Sequence, residues 1–147
     1  MKIVLQKVKE ALVTVNSKNI AKISRGILVF LCVEKSDRRE DADYLIEKLI
    51  NLRIFEDANE KMNLSIQDVK GDFLVVPEFT LAGNCNNGRR PSFKNAASPK
   101  EAEELYNYFV KKLKENYLKV ESGIFGAMMD IHIVNEGPVT FLLETKK

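Results

Sequence analysis

Catalysis by a Ser–His–Asp or Cys–His relay needs a histidine within reach of a nucleophile, and the sequence supplies one, His132, in Asp130-Ile131-His132-Ile133. If this stretch is a strand, alternation puts His132 on the face opposite Ile131 and Ile133, where a surface or structural histidine is expected rather than a base. Cys32 lies inside an apolar run and reads as a small core residue, while Cys85 lies in a polar loop. Neither has the closely spaced Cys or His partners that zinc requires. No G-x-S-x-G elbow and no G-x-G-x-x-G fingerprint occurs. Residues 83–90 copy the glycine spacing of a P-loop but lack its lysine and its magnesium-binding hydroxyl. No metal or other cofactor is expected.

Three other segments have the makings of a site. Pro77-Glu78-Phe79-Thr80-Leu81 follows a strand-like run. Proline cannot donate to a ladder, so the strand ends or bulges there and leaves backbone N–H groups beyond it free for a ligand or an oxyanion. Thr80 carries a hydroxyl of the nucleophilic kind, but no general base is evident beside it in the sequence. The loop over residues 82–98 carries Arg89, Arg90 and Lys94 and no acidic residue, a local charge of +3 in a chain whose net charge is +2. Arginine binds phosphate oxygens bidentately, so this loop reads either as phosphate-facing or as an ordinary basic surface loop. Gly137-Pro138 reads either as a plain turn or as one of the few X–Pro bonds that are cis in folded chains.

The elements that must hold these segments follow from periodicity. Ile3-Val4-Leu5 opens a strand-rich first third. Leu12–Val15 and Ile20–Ile23 flank Asn16-Ser17-Lys18-Asn19, which predicts a hairpin. Ile27–Val33 is a continuous β-branched and aromatic run, as expected of a central strand covered on both faces. Asp37 and Glu40 have capping-box spacing, and Ala42, Leu45, Ile46, Leu49 and Leu52 then repeat at helical intervals, predicting a helix over about residues 38–53. Residues 57–68 are polar and turn-rich, and Phe73–Val76 is another strand. Ser98-Pro99-Lys100-Glu101 opens a second helix, with Ser at the cap and Pro at the first helical position. Its early glutamates and late lysines (Lys111, Lys112, Lys114) suit the helix dipole, so a solvated helix end competes with a nucleic-acid patch as the reading of those lysines. Residues 128–134 and 139–144 alternate like strands, with Asn135-Glu136-Gly137-Pro138 expected as the hairpin turn between them. The sum is one α/β or α+β domain over residues 1–147, a layered arrangement of mixed, hairpin-rich β-sheets packed with two main α-helices.

Composition is consistent with this. The hydrophobic share of 45% is ordinary for a globular chain, and 7 Gly with 4 Pro exclude collagen-like and low-complexity classes. The longest apolar run, Ile27–Val33, is far short of the roughly twenty residues that a membrane helix needs. The first residues hold no apolar stretch of signal-peptide length.

Taken together, these segments identify a resemblance. The chain closely resembles the bacterial and eukaryotic D-aminoacyl-tRNA deacylases over essentially its whole length, from Met1-Lys2-Ile3-Val4-Leu5-Gln6-Lys7-Val8 through Asn51-Leu52-Arg53-Ile54-Phe55-Glu56-Asp57 to the C-terminus. The most specific matches are Lys61-Met62-Asn63-Leu64-Ser65, Gly88-Arg89-Arg90-Pro91-Ser92-Phe93 and Asn135-Glu136-Gly137-Pro138-Val139-Thr140.

The resemblance implies a cytoplasmic homodimer that hydrolyses the ester between a D-amino acid and the tRNA 3′ end and removes glycine from mischarged tRNA. It implies tRNA as partner, with no DNA, no membrane and no metal. The catalytic part falls on Phe79 and Thr80, through backbone and hydroxyl, with Glu78 beside them. Substrate and chirality contacts fall on Gly137, Pro138, Phe125 and Met129, and tRNA contacts on Arg89, Arg90 and Lys94. In the family the Gly-Pro peptide is cis and reaches into the partner subunit's site, where it orients the amino group and excludes an L side chain. The sequence departs from the family at two places. The S-Q-F-T-L signature reads Pro77-Glu78-Phe79-Thr80-Leu81, and Lys7 stands where relatives carry an arginine that helps hold the Gly-Pro orientation. A related branch that edits L-alanine also carries proline at the first signature position but alters the phenylalanine, which is kept here as Phe79. Two alternatives stand beside the D-specific hydrolase: an L-alanyl-tRNA-editing relative, and a catalytically weakened RNA-binding homologue.

Overall fold

β1 (Lys2–Val15) is the strand around which the sheet is built. Its first half, Lys2–Val8, pairs with β3 (Gly26–Cys32), and its second half, Ala11–Val15, pairs with β2 (Lys18–Ile23), both antiparallel. Both halves also pair with β8 (Asp130–Glu144), so β8 takes one edge of β1 while β3 and β2 share the other. In this computed structural model, which describes residues 1–145, β6 (Asp72–Pro77) and β7 (Val120–Ser122) extend the sheet beyond β3 by parallel pairing. β4 (Phe55–Glu56) and β5 (Met62–Leu64) form a separate small hairpin, followed by α2 (Ile66–Val69). The result is a mixed α/β fold, as expected.

Alternation along β3 sorts its side chains into two cores. Ile27, Val29 and Leu31 join Leu45 and Leu49 of α1 (Arg39–Asn51) and Phe109 and Leu113 of α3 (Pro99–Asn116). Leu28 faces the other way and joins Leu74 and Val76 with Val8, Ala11, Val13 and Ile23, so β2 and the second half of β1 fold over the helix-free face. β3 is thus covered on both sides, which is why it reads as an unbroken apolar run. Each fully buried Leu, Ile or Val contributes about 1.5–3 kcal/mol relative to exposure. The close approach of β3 to β6 requires Gly26, where a Cβ would fall 1.9 Å from the Asp72 carbonyl oxygen.

Three expectations need correction. The cap of α1 lies one residue later than the spacing of Asp37 and Glu40 suggests: Asp41 accepts from the Arg38 N–H at 2.8 Å. Asp37 is drawn elsewhere, accepting from the Met1 amine at 2.5 Å and from the Glu34 N–H at 2.6 Å. Residues 57–68 are not all turn, since β5 and the start of α2 lie within them, and Ser65 caps α2 by accepting from the Asp68 N–H.

The third correction concerns residues 135–138, which do not form a hairpin turn. β8 runs through them as one strand, because β1 is long enough to pair with both halves along a single edge. Gln6 pairs with Thr140 and Val8 with Asn135, so Glu136, Gly137, Pro138 and Val139 stand opposite Lys7 alone. The extra residues form a bulge that lifts Gly137-Pro138 out of the ladder.

Candidate functional site

The site begins where β6 stops. Pro77 is the last residue of β6 to pair, opposite Leu31, and the Glu78 N–H donates to the Leu31 carbonyl at 2.8 Å. The chain then turns through one short 3-10 helix, Phe79–Ala82. Its first N–H groups have no carbonyl of their own turn to reach, as at the start of any helix. Cys32 lies beneath this turn with its sulfur 3.7 Å from the Phe79 carbonyl oxygen. Burial, with the neighbouring Glu34 carboxylate, pushes its thiol up to about 11. Cys32 is therefore a neutral prop for the turn, as its place in an apolar run suggests, while Cys85 is exposed.

The Thr80 hydroxyl donates to Oε1 of Glu78. In the sequence no general base is evident beside Thr80, whereas the structure sets the Glu78 carboxylate against its hydroxyl. The two residues are two apart at the start of the 3-10 turn that follows Pro77, and there their side chains meet.

Beside the turn lies a cavity of about 470 Å³. Leu31 and Val76 of the sheet, Val33 just beyond β3, Glu78 and Phe79 of the turn, Tyr106 of α3, and Phe125, Met129 and Ile131 before and on β8 line it. The structure therefore brings Glu78, Phe79, Phe125 and Met129 of the expected site together around one apolar hollow. Phe79 is 58% exposed, a large apolar surface left open at the mouth. Tyr106, which in the sequence is one more apolar position of a helix, holds this end of the sheet. Its buried hydroxyl donates to the carbonyls of Val75 at 3.0 Å and Gly123 at 3.4 Å, and burial keeps it well above the usual tyrosine range.

The basic loop is tied to the same turn. Phe93 meets Phe79 edge-on, with centroids 5.1 Å apart at 64°. Asn84 and Ser92 exchange backbone bonds of 2.8 and 2.9 Å, and the Ala97 N–H returns to the Val33 carbonyl at 3.1 Å. Arg89, Arg90 and Lys94 are exposed and form no ion pair among the described residues.

Gly137 and Pro138 do not line the cavity of their own chain. They are exposed at the tip of the β8 bulge, and the bond between them is cis. Asn135 closes the bulge at its neck, donating to the Lys7 carbonyl at 2.9 Å and to the Val139 carbonyl at 3.1 Å. The Lys7 side chain is 1% exposed and donates to Glu56 at 3.2 Å. Glu136 approaches Arg25 at 3.9 Å, and Arg25 in turn lies over the Phe55 ring. His132 is exposed on β8 opposite Leu12 and has no part in the cavity, as alternation predicts. Among the described residues no cluster of three His, Cys, Asp or Glu could hold a metal, and no helix is long and apolar enough to cross a membrane.

Comparison with known proteins adds to this geometry. A family model described as D-Tyr-tRNA(Tyr) deacylase matches residues 4–144. A protein of Geotalea uraniireducens (strain Rf4) named D-aminoacyl-tRNA deacylase is 57% identical over 147 residues, covering 100% of this chain and 95% of its own. One of the same name from Thermosipho melanesiensis is 53% identical over 148 residues, covering 100% and 99%. A solved structure titled c-Myc DNA Unwinding Element Binding Protein superposes with a TM-score of 0.95 at 38% identity, covering 100% of both chains. Another, titled as a probable eukaryotic D-amino acid tRNA deacylase, superposes with a TM-score of 0.84 at 20% identity over 97% of both and shares the fold.

Proposed function

The chain belongs to the D-Tyr-tRNA(Tyr) deacylase family, a family of hydrolases, and from that membership we propose how its cavity frees a D-amino acid from the 3′ end of tRNA. The observation that carries the reading is the joining of three things at one turn: an apolar cavity, a short helix start at Phe79 and Thr80, and an unpaired basic loop. The RNA phosphates lie along Arg89, Arg90 and Lys94, and the terminal ester lies over Phe79 and Thr80. The aminoacyl group enters between that turn and the wall of Phe125 and Met129. Water then cleaves the ester, with no metal and no covalent enzyme intermediate.

Chirality requires a wall, because fitting one apolar group is worth only about 1–3 kcal/mol. In this reading Gly137-Pro138 supplies that wall to a second copy, supported by its exposure and its absence from the cavity of its own chain. We infer a homodimer on this ground. β8 leaves Ile133, Val134, Phe141 and Leu142 exposed along a strand paired on one edge to β1, the kind of edge that a second copy covers. In this arrangement the partner's Gly-Pro carbonyls hold the substrate amino group, an L side chain meets the peptide, and glycine, which has no side chain, is also cleaved. The protein acts in the cytoplasm, where aminoacyl-tRNA is used.

Deacylation of D-Tyr-tRNA, L-Tyr-tRNA and Gly-tRNA by the purified protein tests the reading. Release from D-Tyr-tRNA and Gly-tRNA with L-Tyr-tRNA intact is expected. Rapid release from L-Tyr-tRNA would assign the chain to L-amino acid editing, and binding without release would make it an RNA-binding homologue. Light scattering showing an active monomer would remove the cross-subunit wall.

A further inference from the structure

Two residues of the cavity wall can ionise, Glu78 and Tyr106. The Tyr106 hydroxyl is committed to two carbonyls behind the cavity. Cys32, the other ionisable group packed against the turn, is buried beneath it with its sulfur toward the Phe79 carbonyl. Glu78 is different. Its Oε1 is fixed by the Thr80 hydroxyl, and its Oε2 has no hydrogen-bond partner among the described residues. A carboxylate steadied through one oxygen and open through the other, at the edge of an apolar hollow, is the arrangement of a proton acceptor. Arg89, Arg90 and Lys94 stand on the loop joined to the same turn through Phe93.

We propose that Glu78 is the general base of the deacylation, receiving a proton from the attacking water. This deepens the ester-hydrolase reading and rests on it. The water oxygen adds to the ester carbonyl carbon while one of its protons passes to the Glu78 carboxylate. The tetrahedral intermediate collapses with cleavage of the bond from that carbon to the ribose 3′ oxygen. Glu78 returns its proton to the departing oxygen, leaving a free amino acid and a 3′-hydroxyl. Thr80 is the residue that positions the base, by donating to Oε1. The family signature has glutamine at this position, which cannot take up the proton, so the step is specific to chains that carry the acid.

The test is deacylation of D-Tyr-tRNA by wild type, Glu78→Gln and Glu78→Ala, with kcat and KM followed across pH and Tm measured for each. Glu78→Gln keeps the length and an acceptor for Thr80. It is expected to leave KM and Tm near wild type, lower kcat at least tenfold (general bases contribute about 10²–10⁴-fold), and abolish the fall of kcat toward acid pH. Formate, a small carboxylate, should restore part of kcat to Glu78→Ala and none to Glu78→Gln, in which the site is filled. A Glu78→Gln enzyme with wild-type kcat and pH profile would overturn the proposal, as would a Glu78→Ala enzyme that formate does not help. Wild-type protein inert on D-Tyr-tRNA would instead overturn the ester-hydrolase reading, and the base with it.

Discussion

The side-chain amide of Asn135 reaches the carbonyl of Val139, four residues further on, at 3.1 Å, and so draws together the two ends of the bulge that carries Gly137-Pro138. The same amide reaches the Lys7 carbonyl across the ladder at 2.9 Å. One side chain therefore fixes both the shape of the projection and its height on β1.

Replacing Asn135 with Leu leaves two carbonyls without their donor. Losing a buried hydrogen-bond partner costs about 1–3 kcal/mol, and urea unfolding should show a lower midpoint with the same slope. Deacylation of D-Tyr-tRNA should fall further than this loss of stability explains, since the folded fraction stays near one.

Gly137 has φ of 123°, and a Cβ added there would fall 2.7 Å from Cγ2 and 2.9 Å from the backbone nitrogen of Val139. Strained backbone of this kind costs about 1–3 kcal/mol in residues other than glycine. Gly137→Ala should fold, lose most activity on D-Tyr-tRNA and shift the crystal position of the bulge. Wild-type kcat/KM in this variant would separate the bulge from catalysis.

Arg89→Ala with Arg90→Ala should weaken tRNA binding mainly at low salt. Each phosphate that is no longer neutralised lowers the slope of log affinity against log salt by about 0.7–0.9. Fluorescence titrations at several salt concentrations, with duplex DNA as a comparator polyanion, measure that slope. An unchanged slope would return the loop to an ordinary basic surface.

Thr80→Ala should keep much of the activity, within about tenfold of wild type, because the hydroxyl holds a neighbour rather than the acyl group. Loss of a covalent nucleophile costs far more, about 10⁶-fold in kcat for a serine protease. Mass spectrometry of a quenched reaction should find no aminoacyl ester on Thr80.

How far the sequence can be read is clearest at particular residues. The hairpin at Asn16 and Ser17, the central run of β3 and the second helix from Pro99 are local patterns, and local patterns survive into the fold. The cap of α1 departs from its local spacing because Asp37 has a distant claimant, the Met1 amine, that no local spacing reveals. The bulge looks like a turn in the sequence because Asn-Glu-Gly-Pro is good turn chemistry. What overrides it is the length of β1, a strand that lies far away in sequence. At the site, Phe79 and Thr80 are visible through the proline before them, whereas the pairing of Glu78 with Thr80 depends on a turn that only the finished sheet imposes.

The edge-on contact of Phe79 with Phe93 ties the basic loop, proposed to meet the nucleic acid, to the turn proposed to hold the ester. Interactions with remote parts of a substrate are then available to align its reacting end, so shortening the substrate reduces turnover as well as binding. For this enzyme, a D-tyrosyl ester of adenosine alone lacks the phosphates that would load the basic loop. It should be a slow substrate even at saturation, and adding back nucleotides at its 5′ side should restore the rate stepwise until Arg89, Arg90 and Lys94 are all engaged.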